Sequence, residues 1–220
     1  MVASQLASDF IPPLKTSDSA QKALDRMAEF RVSHLPIVNE TEFLGLISDH
    51  DIAELADLNE PIGSSGLSII YQSVNEDQHL YDAIRLIHEQ KLTVVPVIDH
   101  RNQYTGLITL TSLAEYFSVI TAIESPGGII ILELGVRDFS LSEIARLIES
   151  DNAMVLSSYV KTFSDSTKLE LTIKVNKTDL TSILASFQRF GYTVKASFSH
   201  VSRSDDTMDR FDSFMHYLNM

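Results

Sequence analysis

The stretch Gly45-Leu46-Ile47-Ser48-Asp49-His50-Asp51 sets how the rest of the chain is read. Phe43 to Ile47 is apolar apart from Gly45, which suits a short buried strand. Ser48 ends that strand. Ser48 and Asp51 have the spacing of a helix N-cap and its reciprocal acidic partner. A strand that runs straight into a helix leaves backbone N–H groups unpaired at the junction, and such a junction attracts anions. A hydroxyl and a carboxylate beside it suit a phosphate and a ribose.

The stretch recurs. Gly106-Leu107-Ile108-Thr109 repeats Gly45-Leu46-Ile47-Ser48, and Val95-Pro96-Val97-Ile98-Asp99 echoes Leu35-Pro36-Ile37-Val38-Asn39. The offset is 60 residues at the prolines and 61 at the glycines. Two copies at nearly one offset are an internal repeat. These residues resemble the CBS domain, named for cystathionine β-synthase, whose motif is Gly-apolar-apolar-Ser/Thr-x-x-Asp and whose members pack as pseudo-twofold pairs. The resemblance spans roughly residues 1–120.

The resemblance implies an adenosyl ligand: AMP, ADP, ATP or S-adenosylmethionine, with Mg2+ for a triphosphate and no other cofactor required. It places the phosphate at Ser48 and the ribose at Asp51. Thr109 stands where Ser48 does, but Ser112 occupies the place of the aspartate. A serine lacks the charge-assisted, bidentate grip of a carboxylate, so the second site is expected to be the weaker. Adenine contacts are expected from Ile11, His34 and Leu35 in the first repeat, and from Tyr71, Val94 and Val95 in the second. The stretch Asp51–His100 holds nine acidic residues and two basic ones, which favours AMP or S-adenosylmethionine over free ATP.

Composition narrows the classes. The chain has 220 residues, of which 44% are hydrophobic and 21% charged, an ordinary globular balance. It has no cysteine, which excludes disulfides, cysteine zinc sites and thiol catalysis. No apolar run approaches the roughly 20 residues of a membrane span, and Met1–Ser8 lacks the basic residues and apolar core of a signal peptide. A cytoplasmic protein is expected. A net charge of −13 opposes binding to nucleic acid or to an anionic membrane.

The expected elements follow from periodicity and breakers. Met1–Ser8 reads as a short helix and Ile11–Leu14 as an extended segment, since two prolines bar a helix interior. Helix 18–30, strands 33–38 and 42–47 and helix 49–56 complete the first repeat. Residues 57–68 form a linker with Pro61, Gly63 and Gly66. An extended Ile69–Tyr71, a helix carrying Leu80 to Ile87, strands 92–98 and 104–109 and helix 112–120 give βαββα again. Beyond Glu124-Ser-Pro-Gly-Gly128 the order becomes βαββαβ, the ferredoxin-like sandwich.

The fold class is therefore α+β. A first CBS domain is expected at 1–58, a second at 59–122, an ACT-like domain at 126–200, and a C-terminal amphipathic helix at 201–220. The third domain resembles the ACT domain, and the layout is similar to the acetoin-utilisation regulator family. Amino-acid-binding ACT domains usually carry a glycine in the turn after their first strand. Here Gly135–Ser140 fills that turn, and no glycine follows Asp138. In the final segment Met208, Phe211, Met215 and Leu218 form one apolar stripe on a helix of about 15 residues, which is marginal alone and is expected to dock.

Catalytic signatures are absent from the sequence. No His-Glu-x-x-His, Gly-x-x-x-x-Gly-Lys, Gly-x-Ser-x-Gly or Gly-x-Gly-x-x-Gly occurs, and the seven histidines do not pair at helical spacing. His50 and Asp51 are neighbours, but adjacent helical residues point in different directions. The expectation is a regulatory protein rather than an enzyme, with no metal site, acting on a protein partner still to be found. The alternatives are an unliganded dimerisation scaffold and an amino-acid sensor acting through the ACT-like domain. Two self-pairing modules on one chain predict a homodimer. Light scattering is expected to give about twice the 24.6 kDa of one chain, and a mass near that of one chain at micromolar concentration would refute the dimer.

Overall fold

The computed structural model describes residues 1–64 and 69–199. The chain divides into two compact units, Met1–Glu115 and Tyr116 onward. The expected helix at 201–220 lies outside the described residues.

The first unit contains the repeat. Helix α1 (Ala20–Phe30), strands β1 (His34–Asn39) and β2 (Glu42–Ser48) and helix α2 (Asp49–Ala53) form its first copy. Strand β3 (Val74–Asn75), helix α3 (Leu80–Gln90), strands β4 (Val94–Ile98) and β5 (Tyr104–Thr109) and helix α4 (Leu110–Ile120) form the second; α4 runs on past Glu115. The two hairpins share one register. His34 faces Ser48 and Pro36 faces Leu46; Val94 faces Thr109 and Pro96 faces Leu107. Both register shifts fall at matching places, between Ile37 and Val38 and between Val97 and Ile98. A proline donates no ladder bond, so it fits only where its missing N–H is not needed. Leu46 and Leu107, opposite the prolines, turn their own N–H and C=O groups outward to a third segment.

That third segment is exchanged between the copies. Ser8 bonds in both directions with Leu107 of the second copy, at 3.0 and 2.9 Å, and the same stretch reaches Leu14, which bridges Ile37 of the first. Ile70 bonds both ways with Leu46 of the first copy, and the chain then reaches Val74, paired with Val97 of the second. Each lead-in thus crosses from one hairpin to the other. Apolar residues of both hairpins are fully buried, among them Leu35, Ile37, Leu46, Ile47, Val95, Val97, Leu107 and Ile108. Met27 and Ala23 of α1 and Ala83 of α3 are buried as well.

The second unit is a ferredoxin-like sandwich. Strand β6 (Gly128–Gly135), helix α5 (Leu141–Ser150), strands β7 (Val155–Thr162) and β8 (Lys168–Val175), helix α6 (Thr181–Arg189) and strand β9 (Thr193–Ser199) follow in order. The antiparallel sheet has the strand order β7-β8-β6-β9. Ile130, Leu132, Leu171 and Ile173 alternate into a core with Ile144, Ile148, Ile183 and Phe187 of the two helices. Ser140 caps α5 by accepting from the Glu143 N–H, as its sequence spacing predicts.

Some expected elements shrink. The helix at residues 1–8 is one turn, Ala3–Gln5. The extended Ile69–Tyr71 makes a bridge only at Ile70, and the strand lies at Val74–Asn75. Helix α2 stops at Ala53 rather than running to residue 56. Just beyond it, Asp57 draws the Asn59 N–H into a local turn that competes with helix.

At one of the matching positions the second hairpin adds a buried hydroxyl to an aromatic ring. Tyr104 occupies the position of Phe43, 61 residues earlier, and its hydroxyl has no hydrogen-bond partner among the described residues. Burial, with Asp9 nearby, pushes the phenol well above its ordinary range. An orphaned buried hydroxyl is unfavourable, and the sister position accepts phenylalanine. Tyr104→Phe is therefore expected to leave stability unchanged or raise it by up to about 1 kcal/mol in urea unfolding. A clear loss of stability would mean that the hydroxyl has a partner.

Candidate functional site

Each hairpin delivers its last residue to a helix start. In the first copy Asp51 N–H donates to Ser48 Oγ at 3.1 Å. The Asp51 carboxylate in return accepts from Ser48 N–H at 3.1 Å and Ser48 Oγ at 2.5 Å. In the second copy Ser112 N–H donates to Thr109 Oγ1 and Thr109 N–H to Ser112 Oγ, both at 3.0 Å. The two starts have the same pattern of bonds, with a carboxylate in one and a hydroxyl in the other.

A cavity of about 490 Å³ opens at the second of these starts. Thr109, Thr111 and Ser112 present hydroxyls at the N-terminus of α4, an eleven-residue helix whose dipole favours an anion there. Arg31, in a left-handed conformation at the end of α1, lines the same cavity and is in no ion pair among the described residues. The apolar walls are Phe10, Ile11, Phe30, Val32 and Leu107. Phe10 is 76% exposed and meets Phe30 edge-to-face at 5.5 Å. Such a cavity combines an aromatic wall, the Thr111 hydroxyl, the Arg31 guanidinium and the Glu115 carboxylate, while the Thr109 and Ser112 hydroxyls are bonded to one another; a nucleoside's ring, hydroxyls and anionic group each find a partner in that set.

The residues expected from sequence scatter around this cavity. Ile11 and Thr109 line it. Ser48 and Asp51 do not; they close on one another at the start of α2. Leu35, Val94 and Val95 are wholly buried in the core, with no surface for a ligand. Tyr71 is 74% exposed and borders a separate depression with Glu42, Phe43 and Asn102. Thr93, Phe10, Phe30 and Arg31 were not singled out from sequence. The position of Arg31 carried a signal, since Lys91 lies 60 residues later, also a left-handed cation ending a helix.

The lead-ins explain why the copies differ. Residues 9–13 take the chain from its bridge at Ser8 to its bridge at Leu14, but only residues 71–73 take it from Ile70 to Val74. The longer path carries Phe10 outward and sets it, with the buried Ile11, on the cavity wall. The shorter one also carries an exposed aromatic residue, Tyr71, but at a separate depression.

His34 joins the copies. Its Nδ1 lies 3.1 Å from Thr93 Oγ1 and accepts from Thr93 N–H at 3.4 Å, while Ser33 N–H donates to the same threonine oxygen at 3.0 Å. Burial pushes the imidazole below its ordinary 6.5, against the opposing pull of Asp49 and Asp51. A depressed value means the folded state resists protonation. The stability that depends on neutral His34 is full above 6.5 and is lost as pH falls from there toward the folded value. The urea midpoint is expected to drop between neutral pH and about pH 5, and His34→Asn, which keeps an acceptor, should flatten that slope. An identical pH profile for the variant would remove His34 as the cause.

The family model for the CBS domain matches residues 3–57 and 69–119. This part of the chain, residues 3–119, is a CBS domain pair. Among curated relatives, an uncharacterized protein of Methanocaldococcus jannaschii is 28% identical over 91 residues, 41% of this chain and 31% of the relative. Inosine-5'-monophosphate dehydrogenase of Streptococcus pyogenes is 28% identical over 105 residues, 46% of this chain and 21% of the enzyme. The chain thus matches less than a third of either relative's length. Among solved structures, a CBS domain pair/ACT domain protein from Thermotoga maritima aligns over 53% of this chain and 96% of its own, at 20% identity and a TM-score of 0.48. CBSX2 in complex with AMP aligns over 53% and 95%, at 22% identity and a TM-score of 0.46. No described helix is long and apolar enough to cross a membrane.

Proposed function

We propose that this chain is a regulatory protein whose CBS pair binds an adenosyl ligand in the cavity at Thr109. The observation that carries the reading is one cavity combining an aromatic wall at Phe10 and Phe30, the hydroxyls at the start of α4, and unpaired Arg31. Adenine lies along Phe10 and Phe30, with Ile11 behind them, and the phosphate or the charged tail of the ligand meets Thr111 and Arg31. With a single cation the cavity suits AMP better than a triphosphate, which would bring Mg2+. Ser48 and Asp51 are a second position, open to a ribose once the carboxylate leaves the serine hydroxyl. Occupancy biases the geometry of the pair, and the ferredoxin-like unit, taken as an ACT-like domain, or a protein partner reads the change. A ligand does this only through its differential affinity for two states. The protein acts as a cytoplasmic homodimer and carries no catalysis of its own.

Calorimetry with AMP, ATP and S-adenosylmethionine tests the reading. One dominant site per chain is expected. Arg31→Ala should weaken AMP about tenfold, the loss of one charged hydrogen bond, and leave adenosine almost unchanged. Equal affinity in Arg31→Ala and parent would displace the site from this cavity. No binding across the panel would favour a dimerisation scaffold.

A second reading has its own observation. A polar depression of about 580 Å³ lies at the turn after β6, where Arg137, Asp138 and Glu143 offer both charges to an amino acid. A melting shift with amino acids but not with nucleotides would favour it.

A further inference from the structure

Strand β8 sends Leu169, Leu171, Ile173 and Val175 into the core and Lys168, Glu170, Thr172 and Lys174 to the other face of the sheet. Both acids on that face are taken by lysines, and a further lysine, Lys161 opposite Glu170, is exposed and lies over the Phe163 ring. Lys168 pairs with Glu133, and Lys195 with Glu170. Lys174 is only 5% exposed, yet no ion pair or side-chain hydrogen bond joins it to any described residue. Its cross-strand neighbours are Ile129 on β6 and Ser157 on β7, neither of them acidic. The chain beyond α4 lies over this part of the sheet, held where Ser157 Oγ donates to Thr121 O at 2.9 Å. A cavity of about 310 Å³ remains beneath it, and Lys174 lines that cavity.

A buried cation is unfavourable unless it is paired. The walls supply no countercharge. They are Thr121, Ile123, Ile129, Ser157, Tyr159 and Thr172. Two hydroxyls, those of Tyr159 and Thr172, have no side-chain hydrogen bond among the described residues, whereas Thr121 donates to Phe117 O.

We propose that this cavity is a binding site for a small organic monocarboxylate with a short apolar body. One cation matches one negative charge, and the two hydroxyls serve the carboxylate oxygens. Ile123, Ile129 and the Tyr159 ring take the apolar end. A free amino acid fits poorly, because no acidic side chain lines the cavity for its ammonium, and a phosphate dianion would find half the charge it needs. The site is separate from the adenosyl cavity and does not depend on it.

The test uses the full chain labelled with 13C-lysine and titrated with isobutyrate, with isobutyramide as the neutral control. A saturable shift of one lysine Cε signal is expected with isobutyrate and none with isobutyramide. The signal is assigned to Lys174 by its loss in Lys174→Met, which should no longer bind. At about 10 mM a site of millimolar affinity is nine-tenths full, so an unmoved spectrum there overturns the proposal. Equal shifts from the amide, or a shifting signal that survives in Lys174→Met, overturn it as well. Lys174→Arg keeps the charge and should retain binding; if Lys174→Met does not fold, loss of binding in Lys174→Gln serves instead. Inorganic phosphate displacing isobutyrate at equal concentration would overturn the monocarboxylate preference.

Discussion

The CBS pair depends on two close approaches of a neighbouring segment to a glycine. Gly45 and Gly106 both have positive φ, 143° and 151°. A Cβ on Gly45 would lie 1.9 Å from Ile69 Cγ2, and one on Gly106 would meet three backbone atoms of Ser8 at 3.1 to 3.3 Å. Only a residue without a side chain permits both the conformation and the contact. Those contacts let Ser8 and Ile70 complete hairpins belonging to the opposite copies. The exchanged lead-ins hold the copies together, and one of them walls the cavity. A substitution at either glycine would therefore disturb assembly of the pair before it disturbed any ligand.

The repeat was legible because its signals are local and doubled. The prolines of β1 and β4, the glycines of β2 and β5 and the capping residues after them recur at one spacing, and each has a backbone reason to be where it is. The position of the cavity was not legible, because it follows from the length of two crossing segments rather than from residue type. Asp51 shows the difference. In sequence it is the stronger ribose ligand; in the structure its carboxylate is engaged by Ser48. Tyr71 looked like a counterpart of Ile11, but the shorter lead-in leaves it exposed. Arg31 was hidden because a basic residue ending a helix usually serves only the helix dipole.

The ferredoxin-like unit divides the same way. Alternation of Leu169, Leu171, Ile173 and Val175 declared both the strand and its inner face. Alternation also assigns Lys174 to the outer face, where a lysine is ordinarily solvated. Its burial arises from the chain that returns over the sheet after α4, a tertiary covering that no strand period encodes. Glu133 and Glu170 are taken by other lysines, so Lys174 stands apart as the buried cation left over on that face.

The unequal lead-ins bear on how a duplicated domain comes to differ from its twin. Lengthening a surface segment by two residues adds little loop-closure entropy, because that term grows only with the logarithm of length. Pro12 and Pro13 further limit what the longer segment can lose on folding. Divergence between twins is thus nearly free at this place and steric everywhere the glycines sit. Unequal lead-ins remove the internal twofold of the pair, so a change at one of its two related clefts has no mirror image at the other.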